Sequence, residues 1–352
     1  MVTPFDGVIG HQGVVDLLVR EIAEPAQSYL FVGPSNVGKS TIARRFAAAL
    51  LCGGDEQCFG RVISGVHPDL VLVEPEGRAS ITVDQARRVV SQATRAPFES
   101  DRKVFLLEEG GMMNDEAANA LLKTLEEPTP ATVFVIVTET EDDLPDTVAS
   151  RCRTVVLGRV PESEVADGIG ALGIESEQAI EAARIAGGRP GLALALATEP
   201  QVADYRRLWL SIPMRLGEHP GDAFRLADET MAAAEPLLAA LRQRQEEERG
   251  ALGDDASKAM KDRQTRELKR ATDALYVTGL EILASFYRDV AAAQFGSPVR
   301  NTDVPIAALS STTPKRAVSS AERILVAIEA LGTNQRPQLA FANLFAELAV
   351  DA

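Results

Sequence analysis

Leu30-Phe31-Val32-Gly33-Pro34-Ser35-Asn36-Val37-Gly38-Lys39-Ser40-Thr41 is an apolar run feeding a Gly-rich turn that opens a helical pattern. Every fixed position of a phosphate-binding loop is filled. Gly33 and Gly38 let the backbone curl so that successive N–H groups point inward, Lys39 reaches the outer phosphates, and the Ser40 hydroxyl is placed to hold Mg²⁺. The helix that follows offers its positive N-terminus to an anion. The flanks agree: Ser28 to Val32 reads as a buried strand, and Ile42, Phe46, Ala49 and Leu50 recur at helical spacing. Gly33, Pro34, Ser35, Asn36, Val37, Gly38, Lys39, Ser40 and Thr41 are therefore the expected nucleotide-binding residues, with ATP or ADP and Mg²⁺ as the cofactor. About 20 residues upstream, Val8 and Ile9 form an apolar turn suited to be the wall for the adenine base.

Downstream, strands and helices alternate to about residue 160. Leu70 to Val73 reads as a strand, Thr82 to Gln85 as a capping box opening a helix, and Lys103 to Leu107 as a buried strand ending in Glu108 and Glu109. Acids at the carboxyl end of a strand beside a phosphate loop can order a Mg²⁺ shell and polarise a water. Asn114 caps an Ala- and Leu-rich helix that Pro128 stops, and Thr132 to Thr138 is a further strand whose last residue can face a phosphate or an attacking water. This pattern predicts an α/β fold with a doubly wound parallel sheet over 1–160. Short helices divided by glycines predict a small helical lid over 161–203, and helical spacing without a convincing strand predicts an all-helical domain over 204–352.

With 352 residues the chain can build several cores, and 45% hydrophobic with 25% charged residues is ordinary for a soluble protein. A net charge of −15 opposes unaided nucleic-acid binding through a broad basic face. No apolar run reaches the roughly 20 residues of a membrane span and no signal region opens the chain, so a cytoplasmic location without membrane contact is expected. Cys52, Cys58 and Cys152 are too few for a disulfide scaffold and fit a reducing compartment. Cys52 to Cys58 reads as a turn-rich loop with two free thiols, and with only His67 further on, too few zinc ligands are expected there. Residues 241–270 hold 16 charged side chains and read as a solvated helical hairpin turning near Gly250 to Asp255. The last helices, through Ile324, Leu325, Ile328 and Leu331 and then Leu339, Phe341, Leu344, Phe345 and Leu348, are apolar enough to pack on each other or on a partner.

The phosphate loop, the paired acids, Asn119-Ala120-Leu121-Leu122-Lys123-Thr124-Leu125-Glu126-Glu127-Pro128 and Leu144-Pro145-Asp146-Thr147-Val148-Ala149-Ser150-Arg151-Cys152 together resemble the clamp-loader branch of the AAA+ ATPases. That resemblance implies an AAA+ domain, a lid and a helical collar, within a ring that opens a sliding clamp and places it on primed DNA during replication by DNA polymerase III. It implies gamma/tau and delta subunits as partners. It carries over to Arg151 the role of the arginine that projects from Ser-Arg-Cys toward a neighbouring subunit's ATP, where a guanidinium offsets transition-state charge. Catalysis in cis by Glu108, Glu109 and Thr138 is the alternative, that of an ATP-hydrolysing motor subunit. A DNA-engaging helicase-loading or branch-migration motor is a more distant one.

Three departures from the family bear on the chain's own site. Arg61 and Ser64 stand at two of the four cysteine positions of the family's zinc loop, so zinc is expected to be absent. Glu108 stands where the active motors carry aspartate, an extra methylene that disturbs a strict octahedral Mg²⁺ shell. In the lid, Arg189 falls one place before the family's sensing arginine, whose position holds Pro190.

Overall fold

The computed structural model describes residues 3–75, 80–127, 129–217, 219–239, 241–243, 245–246, 258–310, 312–332 and 335–350. Pro128, the expected helix stop, and the expected hairpin turn near 250–255 lie outside them. The chain divides into two compact units, Met1–Leu194 and Ala195–Ala352.

In the first unit, five parallel strands stand in the order β2-β3-β4-β1-β5: β1 Ser28–Val32, β2 Leu70–Leu72, β3 Lys103–Leu107, β4 Thr132–Val137 and β5 Arg153–Val156. The three central strands are buried along their whole length. Continuous apolar runs suit a sheet covered on both faces. Alternate side chains feed two cores. Tyr29, Phe31, Leu106 and Val135 pack with α1 (Gln12–Glu21), α2 (Lys39–Cys52) and α3 (Glu56–Ile63). Leu30, Phe105 and Ile136 pack instead with α4 (Val83–Ala93), α5 (Asp115–Glu126) and α6 (Asp146–Ala149). Tyr29 meets Phe46 edge-on at 4.9 Å between ring centroids, and Phe105 stacks on Phe134 at 5.0 Å.

Local signals set the helix starts. Thr82 and Gln85 form the expected capping box, and the Asn114 side chain accepts from the Ala117 N–H. Two elements differ from expectation. The segment read as a loop around Cys58 is α3, because the Asp55 carboxylate accepts from the N–H groups of Gln57 and Cys58. The fifth strand, β5, lies on the sheet edge with Val155 as its one fully buried residue, so it lacks the apolar run that marks a central strand.

After β5 come α7 (Glu162–Ala171), α8 (Ser176–Ala186) and α9 (Pro190–Thr198), close to the expected lid helices, with the boundary between the two units falling inside α9. Gly188, at φ +83°, passes so close to Val160 that a Cβ would lie 2.7 Å from its carbonyl oxygen.

Among its described residues the second unit is helical throughout: α10 Pro200–Arg215, α11 Pro220–Ala233, α12 Lys258–Gln294, α13 Ile306–Leu309, α14 Pro314–Gly332 and α15 Pro337–Val350. Its core closes around Trp209, fully buried, with Phe341 and Phe345 at 5.5 and 6.2 Å. Gly279 of α12 lies against the indole, where a Cβ would come within 2.1 Å. α14 and α15 pack on each other, although Leu325 and Leu339 are exposed. Within the segment expected to be solvated, Gln245 and Gln264 are buried, and each side-chain amide donates to the other residue's carbonyl at 3.1 Å. Reciprocal donation from the two side-chain amides offsets part of the cost of burying them.

Candidate functional site

The phosphate loop joins the carboxyl end of β1 to the start of α2, where ligands bind in doubly wound sheets. Gly33, Asn36 and Gly38 all have positive φ, at 152°, 62° and 107°. A side chain at Gly33 would drive its Cβ to 2.0 Å from the Leu157 carbonyl oxygen. Val37 is buried and anchors the turn, while Pro34, Asn36, Ser40 and Thr41 are exposed. Lys39 donates from Nζ to the carbonyls of Gly33 at 2.6 Å and Pro34 at 2.8 Å, so it arches over the loop that would hold the phosphates. Burial pulls its pKa below the usual lysine value, against the opposing influence of Glu139 and Asp143. The glycine-shaped turn fits a nucleotide's phosphates.

The 7–11 turn reaches the same edge: His11 Nε2 contacts the Val37 carbonyl at 2.9 Å, Val8 packs on the α1–α2 core, and Ile9 abuts Gly168 of α7. The lid does so too, the Gly191 N–H donating to the Asn36 carbonyl at 3.3 Å. At this contact stands Pro190, with no cation to offer, while Arg189 is buried and donates from Nε to the Ala186 carbonyl at 3.0 Å.

The acids are less free than sequence implied. Arg44 of α2 grips Glu108 in a bidentate pair, through Nε and, at 2.7 Å, through Nη2. That hydrogen bond is the main influence raising the Arg44 pKa. A carboxylate committed on both oxygens to a guanidinium is a poor Mg²⁺ ligand. Glu109 is half-buried beside it. Thr138 is buried at the end of β4, its N–H on the Phe31 carbonyl at 2.9 Å and its hydroxyl donating to the Thr140 carbonyl at 2.8 Å. Glu139, the next residue, accepts from the Ser35 hydroxyl of the phosphate loop. Neither Arg44 nor Glu139 was singled out from sequence. The available signal was the Arg44-Arg45 pair set between Ile42-Ala43 and the apolar run from Phe46 to Leu51, which does not by itself tell Arg44 from Arg45.

Arg151 lies elsewhere. It shares a cleft of about 540 Å³ with Ala26, Ser28, Glu126, Ser150 and Arg153. Ala26 to Ser28 lead into the amino end of β1, and Tyr29 pairs with Arg153 in β5. Arg151 and the phosphate loop are thus at opposite edges of the sheet. The five residues of β1 between them span about 16 Å at roughly 3.3 Å per residue. Arg151 donates from Nε to Glu126 Oε1 at 2.7 Å, again to Glu126 from Nη2, and from Nη1 to the Thr147 carbonyl. Behind it, Arg153 pairs with Glu21, which accepts from the Tyr29 hydroxyl at 2.6 Å. Cys152 is structural: burial pushes its thiol up to about 11, so it stays protonated at neutral pH.

Cys52 and Cys58 form a disulfide, which corrects the expectation of two free thiols in a loop. Their sulfurs and the buried His67 ring lie within 4.8 Å of one another, a group able to hold a metal ion. Sulfurs bonded to each other are not thiolates and ligate no zinc; reduced, the trio would offer three of the four donors of a tetrahedral site. Folding brings His67 to the cysteines across the length of α3, and this grouping counts against the expectation that zinc is absent. His67 also faces Glu99 at 2.9 Å, and burial lowers its pKa.

The protein-family model described as DNA polymerase III, delta subunit, matches residues 10–161. The delta′ subunit of DNA polymerase III from Pseudomonas aeruginosa is 39% identical over 139 residues, 37% of this chain and 42% of that protein. The Bacillus subtilis delta′ subunit is 37% identical over 151 residues, 40% and 46% of the two chains. The tau/gamma subunit of Haemophilus influenzae is 31% identical over 172 residues, 46% of this chain and 25% of that protein. Among solved structures, a gamma subunit-related protein of Thermotoga maritima aligns with 96% of this chain and 98% of its own at a TM-score of 0.45 and 16% identity. The matches span less than half the length of these curated relatives. No described helix is long and apolar enough to cross a membrane. Residues 10–161 are thus similar to the clamp-loader subunits of DNA polymerase III, delta′ and tau/gamma subunits among them.

Proposed function

We propose that this chain is a delta′-type subunit of a bacterial clamp loader, acting in the cytoplasm beside gamma/tau and delta subunits to place a sliding clamp on primed DNA. The observation that carries this reading is the separation of Arg151 from the phosphate loop by the length of β1. An arginine side chain reaches about half that distance, so a phosphate met by Arg151 belongs to another molecule. The guanidinium completes a neighbouring subunit's ATP site, where it offsets the charge on the phosphoryl group being transferred.

The chain's own loop is a holding site. Gly33 to Thr41 bind the phosphates of ATP or ADP, with Val8 and Ile9 beside the base. Ser40 is the residue to hold Mg²⁺ when nucleotide is bound. Hydrolysis there by Glu108, Glu109 and Thr138 is disfavoured by the Arg44–Glu108 pair and by Pro190 in the lid. Residues 1–160 serve as the nucleotide domain, 161–203 as the lid, and 204–352 as the collar that joins the subunits.

Reconstitution tests this reading. The chain mixed with gamma/tau and delta subunits should co-elute as one complex and restore ATP-dependent loading of the clamp onto primed DNA. Failure to enter the complex, or robust ATP hydrolysis by the isolated chain that Lys39→Ala abolishes, would contradict it and favour a motor subunit.

A further inference from the structure

α5 runs from the turn after Glu108 and Glu109, at the carboxyl edge of the sheet, to Glu126 in the Arg151 cleft at the amino edge. Its 12 residues span about 18 Å at 1.5 Å per residue. At its far end Glu126 takes two of the Arg151 N–H groups on its carboxylate, while the Thr147 carbonyl takes a third. A guanidinium has five N–H donors, so two remain for an incoming phosphoryl oxygen. The pair is partly exposed, at 32% for Arg151 and 46% for Glu126, where ion pairs contribute little to stability. Its effect is therefore on orientation: two N–H groups on one carboxylate fix the plane of the guanidinium, and the plane fixes where the two remaining donors point.

We propose that Glu126 is a positioning residue for Arg151, holding the guanidinium for a neighbour's ATP and tying its placement to α5. This rests on the reading of Arg151 as a residue acting in trans. A shift of α5 at the acidic strand end, where this chain's own nucleotide loop lies, then moves the arginine presented to the adjacent subunit. Misplacing a catalytic group by on the order of 1 Å costs up to about 10²-fold in rate.

The test is steady-state ATP hydrolysis by the reconstituted complex carrying Glu126→Ala, Glu126→Gln, Arg151→Ala or the double variant E126A/R151A in this subunit. E126A should lower kcat at the site served by Arg151 by about tenfold with KM for ATP unchanged, within the range set by a small misplacement. E126Q keeps a side-chain acceptor for Arg151 and should recover most of the loss. The double variant should match R151A, and thermal unfolding of the subunit should be unchanged throughout. If R151A itself leaves hydrolysis intact, the trans-acting reading fails and this inference with it. If R151A lowers hydrolysis while E126A matches or exceeds the unsubstituted complex, the trans-acting reading stands and the role of Glu126 is overturned.

Discussion

The two ends of β1 carry opposite arrangements of charge. At the carboxyl end, three of the candidate side chains are already engaged within the chain: Lys39 on the carbonyls of Gly33 and Pro34, Ser35 on Glu139, Glu108 on Arg44. At the amino end, Arg151 is held from two sides in an open cleft, with two of its donors left over. The first arrangement suits a site that holds a ligand without turning it over, because its acid is neutralised by an internal cation. The second suits a group offered to another molecule. One strand thus separates the phosphate loop, proposed to hold nucleotide, from the arginine proposed to serve a neighbouring subunit.

Breaking the amino end should have the largest effect. Arg151→Lys keeps the charge but loses the planar fork, and hydrolysis at the neighbour's site should fall by about 10²-fold or more, since arginines of this type contribute roughly 10³ to 10⁵. A rate within a few-fold of the unsubstituted complex would mean that simple charge suffices. Stability, by contrast, should be most sensitive away from both ends. Asp69 is fully buried and accepts from the N–H groups of Phe98, Glu99 and Ser100, the last two at 2.8 and 2.9 Å. Asp69→Ala leaves those donors unpaired and should cost about 1–3 kcal/mol in chemical denaturation while leaving nucleotide affinity unchanged.

Asp69 also sets a pH dependence. Burial raises its pKa, but the three backbone donors and the nearby His67 outweigh burial, so the folded value lies below the unfolded one. Stability from this group is complete above the unfolded pKa of about 4 and is lost as pH falls through the folded value. The acid limb of a stability–pH curve should therefore flatten in Asp69→Asn. The smallest functional effect is expected from Glu108→Gln: with the carboxylate already given to Arg44, hydrolysis by the complex should not change. A large loss would show Glu108 to be catalytic, and the contrast between the two ends would disappear.

What the sequence made legible follows from how far apart the interacting residues stand. β1, the phosphate loop and α2 are contiguous, and a strand buried on both faces writes itself as an unbroken apolar run, so that stretch could be read residue by residue. The capping box at Thr82 and the cap at Asn114 span three residues each and were equally plain. β5 was missed because an edge strand with a single buried side chain carries no such run. α3 was missed because two glycines and a cysteine pair look like a turn until Asp55 caps the helix. The pairs that decide the character of the site join residues far apart in the chain: Arg44 with Glu108, 64 residues on, and Ser35 with Glu139, 104 residues on. No local pattern encodes such contacts. The Cys52–Cys58 disulfide joins residues only six apart, but the spacing alone does not distinguish two thiols from a bridge.

The most direct test sets the two ends against each other in one assembly: ATP hydrolysis by the reconstituted clamp loader with Lys39→Ala or Arg151→Ala in this subunit. R151A should abolish the contribution of one neighbouring site while K39A leaves the rate unchanged. A rate lost with K39A and kept with R151A would instead make this chain a motor acting on its own ATP.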